Sequence, residues 1–166
     1  MNFASPYVEL PKKLTVLENL KVYGRMYLIK NLKDKIDQLV EDLNLKSFLN
    51  KRTGELSSGQ KNRVSLAKSL INDPKILLLD EPTASLDPDT GDYVRSYLEK
   101  YKQENDISIL LASHNMDEVK RLSDDVLMMK EGQIIDHGKA KELIDKHGRD
   151  TLEQVFLKLV REKNEH

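Results

Sequence analysis

Asp80 closes the apolar run KILLLD (residues 75–80), and Glu81 and Pro82 follow it directly. An apolar strand that runs into paired carboxylates suits a magnesium-bound phosphate: hard divalent cations take carboxylate and water oxygens, and a neighbouring carboxylate can act as a general base. The plainer reading of the pair is a solvated strand terminus. A second polar pair, Ser113-His114, ends the apolar run ISILLAS (107–113). His114 reads either as a site histidine or as a loop residue before the helix NMDEVKRL. In LSSGQ (56–60), Ser57 and Gln60 have capping-box spacing, so a well-capped helix is the simple explanation. The same helix start, with Ser58 and Gly59, also offers backbone N–H groups, hydroxyls and a positive dipole end, which together suit a phosphate. Asp87, followed by Pro88 and Asp89, is a good helix N-cap, and capping alone would explain it.

The elements that must position these residues fall in three zones. Residues 1–13 read as an irregular lead-in with two prolines, after which Thr15 and Glu18 open a helix with a capping box. A second helix follows, with Leu32, Ile36, Leu39, Val40 and Leu43 on one face at a period near 3.6. A third spans about 58–72, with Val64, Ala67, Leu70 and Ile71 inward and NDP stopping it. The second zone alternates: strand KILLLD, a helix at about 89–104 with Tyr93, Val94, Tyr97, Leu98 and Tyr101 on one side, then strand ISILLAS. That order makes a parallel βαβ unit, and ligands bind where parallel strands end. DVLMMK and QIIDHG form a hairpin through Glu131-Gly132. From Lys139 the chain is helical again, with Leu152, Val155, Phe156 and Leu159 on one face.

Composition narrows the class. A chain of 166 residues, 39% hydrophobic and 33% charged, fits one modest soluble domain. The formal net charge of -1 calls for neither nucleic acid nor an anionic membrane surface. The absence of cysteine removes disulfides, thiolate metal sites and cysteine nucleophiles. No secretory leader is evident at the N-terminus, and no apolar run approaches the ~18 residues of a membrane span. The chain therefore reads as cytoplasmic, with any membrane contact made through a partner.

Taken in order and spacing, LSSGQKNRVSLAKSLINDPKILLLDEPTASLD, then ILLASHNMDEV and DDVLMMKEGQIIDHG, resemble the C-terminal part of the ATP-binding-cassette (ABC) ATPase domain of ABC transporters. The likeness covers essentially the whole chain and is most specific over residues 55–138. LSSGQ resembles the family signature with Ser58 in place of a glycine, ILLLD resembles Walker B, ASLD the D-loop, and His114 the switch histidine. The resemblance implies an α/β fold: a partial P-loop NTPase-like parallel sheet with an N-terminal helical subdomain and a C-terminal helix. It divides the chain into a helical signature subdomain (about 14–72), a Walker B, D-loop and switch core (about 73–138) and C-terminal helices (139–166). It implies ATP and Mg²⁺ as ligands, Asp80 holding the metal through its water shell, Glu81 activating the attacking water and His114 contacting the γ-phosphate. Ser57, Ser58, Gly59 and Gln60 would meet the nucleotide of a second ABC ATPase domain, with Asp87 linking the two sites. A transmembrane permease subunit would be the other partner, holding the chain to the cytoplasmic face of the membrane. The helix TLEQVFLKLV is similar to the end of many exporter ATPases, which implies export.

Two departures qualify the likeness. No G-x-x-x-x-G-K-[S/T] occurs, and the nearest string, GQIIDHGKA, has the wrong spacing and lies in the hairpin. The family's Q-loop glutamine would fall near Ser5 to Tyr7, where there is none. We therefore expect a truncated ATPase, inactive and marginally stable alone, with uncovered strand edges. The alternatives are a non-catalytic half-domain that lends its signature to another ATPase and, less favoured, a soluble ABC ATPase acting on ribosomes or DNA.

Overall fold

The computed structural model describes residues 1–7 and 9–162, and these fall in two compact units that divide between Ala112 and Ser113. In the first unit, α1 (Val16–Met26) starts at the capping box read from the sequence: Thr15 accepts from the Glu18 N–H, and the Glu18 carboxylate accepts from the Thr15 N–H. Helix α2 (Leu32–Asp42) buries Ile36, Leu39 and Val40, and Leu43 is buried at its end. The two helices approach closely because α1 has no side chain at Gly24; a Cβ there would come within 2.0 Å of the Leu32 side chain. Helix α3 (Ser58–Leu70) packs against both helices and against the first strand, burying Val64, Leu66, Ala67 and Leu70.

Three parallel strands form the sheet, in the order β1 (Asn2–Ala4), β2 (Ile76–Asp80), β3 (Ser108–Ala112). Helix α4 (Pro88–Glu104) makes the β2-to-β3 crossover, as the alternation of apolar runs predicts. It buries Val94 and Leu98, whereas Tyr93, expected on the inward side, is 47% exposed. Strand β1 departs from the sequence reading, which placed residues 1–13 in an irregular lead-in. Three residues hold too little pattern to show a strand; what orders them is the β2 ladder, with Phe3 opposite Leu78. The expectation that ILLLD would lack neighbours is corrected: β2 is flanked by β1 and β3 and buries Leu77 and Leu79, while β3 is an outer strand of the described sheet with Leu110 62% exposed.

In the second unit, α5 (Met116–Leu122) precedes the antiparallel pair β4 (Val126–Lys130) and β5 (Gln133–Gly138). Their turn places Glu131 at φ 51° and Gly132 at φ 76°, the left-handed pair that a two-residue hairpin requires. Helices α6 (Ala140–His147) and α7 (Leu152–Glu162) complete the unit. Its core joins Val126, Met128, Leu143, Leu152 and Val155, with Phe156 and Leu159 packed on it, so the apolar stripe read in the last helix faces this core. Asp136 on β5 ties the hairpin to α6 through Lys146 (2.8 Å) and His147 (2.6 Å).

Candidate active site

The half-buried Asp80 ends β2, its Oδ2 accepting a 2.9 Å hydrogen bond from the hydroxyl of Ser5. Ser5 is buried, and its Oγ also accepts from the Tyr7 N–H. The segment where the family pattern places a glutamine therefore carries a hydroxyl that orients the strand-end carboxylate. A carboxylate beside a hydroxyl is a hard-oxygen donor set, and Mg²⁺ is ordinarily held by one or two carboxylates, waters and phosphate oxygens. Asp80 fits that role.

Beyond Asp80 the chain turns sharply. The Glu81 N–H still extends the ladder, donating to Ala112 at 2.8 Å, but its φ is 49°, a left-handed value. Ala84 N–H then returns to the Glu81 carbonyl, Leu86 N–H returns to Thr83, and Ser85 is left-handed too at φ 64°. Asp87 leaves this loop as the N-cap of α4, accepting from the Thr90 N–H at 3.0 Å, with Pro88 in the first turn. That backbone donor holds the Asp87 carboxyl below its ordinary range.

LSSGQ opens α3 as a complete capping box. Ser57 Oγ accepts from the Gln60 N–H, and Gln60 Oε1 accepts from the Ser57 N–H. Ser57 and Gln60 thus serve each other, and the amides of Ser58 and Gly59 are first-turn donors with no helical acceptor, at a start where Ser57 and Ser58 are exposed. Gly59 meets the loop after Glu81: a Cβ on it would stand 2.9 Å from the Ser85 carbonyl oxygen. One turn on, buried Asn62 donates its amide to the carbonyls of Pro82 (2.9 Å) and Ala84 (3.0 Å) and, more weakly, Glu81 (3.4 Å). Arg63 lies over the Phe48 ring and donates to the Asn44 carbonyl at 2.9 Å, tying α3 to the end of α2.

Within residues 1–112, then, α3 meets the loop between Glu81 and Asp87 through Gly59 and Asn62, and Asp80 at the end of β2 is held by Ser5. His114 belongs to the second unit. It is exposed at the start of α5 and lines a cavity of about 460 Å³ with Asn115, Asp117 and Lys120. Its neighbours are fixed: Ser113 donates to the buried Glu118 carboxylate at 2.6 Å, and Asn115 caps α5 by accepting from the Asp117 and Glu118 N–H groups. Sequence reasoning placed Ser113 at the strand end but missed Ser5, Asn62 and Glu118. Glu118 had a local signal, an acid five residues after Ser113 around a helix start; Ser5 and Asn62 had none.

A family model described as ABC transporter matches residues 2–84, half of the chain. The chain belongs to the ABC transporter family. Among curated members, the ABC transporter ATP-binding protein NatA of Bacillus subtilis is 35% identical over 90% of this ABC chain and 61% of its own length. The Nod factor export ATP-binding protein I of Rhizobium sp. is 37% identical over 89% of the chain and 49% of itself. The molybdenum import ATP-binding protein ModC of Methylococcus capsulatus is 39% identical over 79% of the chain and 36% of itself. The chain thus spans 36–61% of the length of these relatives, less than two thirds of each. Its fold matches a solved ATP-binding subunit of an ABC transporter at a TM-score of 0.85, with 20% identity, over 96% of this chain and 68% of that one. It also matches a dimeric, post-hydrolysis ATP-binding cassette bound to ADP and phosphate at 0.76, with 25% identity, over 83% of this chain and 62% of that one. The P-loop NTPase-like α/β fold expected from the sequence is the fold observed. Among the described residues no helix is long and apolar enough to cross a membrane.

Proposed function

We propose that these residues form the signature and Walker B part of an ATP-hydrolysing subunit of an ABC transporter. The observation that supports this most is the joining of Asp80, Glu81 and Asp87 to the start of α3 through one short loop. Asp80, held by Ser5, is the residue that would hold Mg²⁺, and the ion when bound would offset the charge of the phosphates. Glu81 accepts a proton from the attacking water as its oxygen bonds to the γ-phosphorus and the bond to the β-phosphate oxygen breaks, releasing ADP and phosphate. The exposed His114 contacts the γ-phosphate. The amides and hydroxyls at Ser57–Gly59 bind the phosphate of a nucleotide held by a second ABC ATPase domain, with Asp87 communicating between the two sites. The phosphate-cradling G-x-x-x-x-G-K-[S/T] loop comes from polypeptide outside residues 1–166, so the isolated chain is inactive. A permease subunit holds the ATPase at the cytoplasmic face of the membrane. Export is the direction we favour, from alignment with the Nod factor export proteins; importers also stand among the relatives, so a transport assay decides it.

Complementation tests this reading. The chain is joined to a strand–loop–helix segment carrying G-x-x-x-x-G-K-[S/T], and phosphate release from MgATP is measured. Hydrolysis in the joined protein, abolished by Glu81→Gln with nucleotide binding retained, is the expected result. Equal hydrolysis by the Glu81→Gln form removes Glu81 as the base.

A further inference from the structure

The loop from Glu81 to Leu86 holds two non-glycine residues in left-handed conformations, Glu81 at φ 49° and Ser85 at φ 64°. Each is a strained conformation that persists only where surrounding contacts over-determine it. The same loop turns the carbonyls of Glu81, Pro82 and Ala84 toward one point, where like dipoles would repel without a donor. The Asn62 amide stands at that point, its two N–H groups shared among three oxygens at 3.4, 2.9 and 3.0 Å. Asn62 is 2% exposed, so water cannot readily replace it. Gly59 lies three residues earlier, on the same face of α3, and its missing side chain lets the helix approach Ser85. One face of α3 therefore grips the loop twice, by a close backbone approach and by a buried donor.

We propose that Asn62 is a positioning residue that makes the start of α3 and the Glu81 loop a single body, so that phosphate engaged at Ser57–Gly59 sets the orientation of Glu81. The hydrolytic consequence rests on the function proposed above; the mechanical coupling does not. Asn62 reaches no ligand itself. Its effect passes through the backbone of Glu81, one bond from the Cα that carries the carboxylate.

The test is amide hydrogen exchange on the full chain, with Asn62→Ala compared against Ser65→Ala. Ser65 is a buried α3 residue whose hydroxyl donates to the Ser5 carbonyl. In Asn62→Ala, the Ala84 and Leu86 amides exchange about tenfold faster or more, while those of α3 keep their protection. In Ser65→Ala the loop amides are unchanged. If Asn62→Ala does not fold, Asn62→Gln, with its amide on a longer arm, takes its place and accelerates the same two amides. In the joined protein, Asn62→Ala lowers kcat about tenfold with an unchanged KM for MgATP, and Asn62→Gln recovers part of that loss. Unaltered Ala84 and Leu86 exchange in a folded Asn62 variant overturns the coupling, as does a loss confined to KM. Absence of hydrolysis in the unsubstituted joined protein counts against the proposed function and leaves the exchange result to decide the coupling.

Discussion

Gly59 shows how one residue serves two demands. It stands at the exposed start of α3, where its amide is a first-turn donor, and it lies against the Ser85 carbonyl. Gly59→Ala gains about 1 kcal/mol of helix propensity at most, whereas forcing a Cβ against fixed backbone costs about 1–3 kcal/mol. Net destabilisation of about 1 kcal/mol is expected in urea titration; a more stable variant would show that the contact yields easily. Ser57→Ala removes a cap whose partner, Gln60, is on the same turn, and about 1 kcal/mol should be lost as well. Such caps were legible because donor and acceptor are three residues apart. Ser5 and Asn62 were not, because their partners lie 75 and 20 residues away and only the folded sheet brings them together.

Among the elements, strong local pattern made α1 to α4 and the hairpin readable, while β1 was hidden because its ladder partner is β2. The hairpin turn was visible in Glu131-Gly132, and Gly132→Ala should destabilise the second unit because φ 76° penalises any Cβ. Asp136 makes the hairpin's tie to α6 sensitive to acid. Hydrogen bonds from Lys146 and then His147 hold its carboxyl well below the ordinary range. The folded-state value is therefore depressed: the stabilisation is full above the unfolded carboxyl's value near 4 and drains as pH falls through the folded one. Urea midpoints should fall from neutral pH to about pH 3, and less steeply in Asp136→Asn. An identical acid limb in the variant would show that the tie contributes nothing.

At the scale of the molecule, apolar surface remains uncovered within each unit. Leu110 on outer strand β3 is 62% exposed; Leu127, Met129 and Ile134 of the hairpin are 51%, 53% and 59% exposed. Outer strands with such surface recruit other chains, so concentration-dependent self-association is expected, reduced by Leu110→Lys and seen by sedimentation. The sequence showed two apolar runs and no third strand, and so missed that β1 flanks ILLLD and leaves ISILLA as an outer strand of the described sheet. It likewise showed carboxylates suited to Mg²⁺ with no phosphate-cradling motif. MgATP titration of the 166-residue chain by calorimetry tests that division of labour most directly. No saturable binding up to millimolar nucleotide is the expected result, and micromolar affinity in the chain alone would contradict a phosphate cradle supplied from elsewhere.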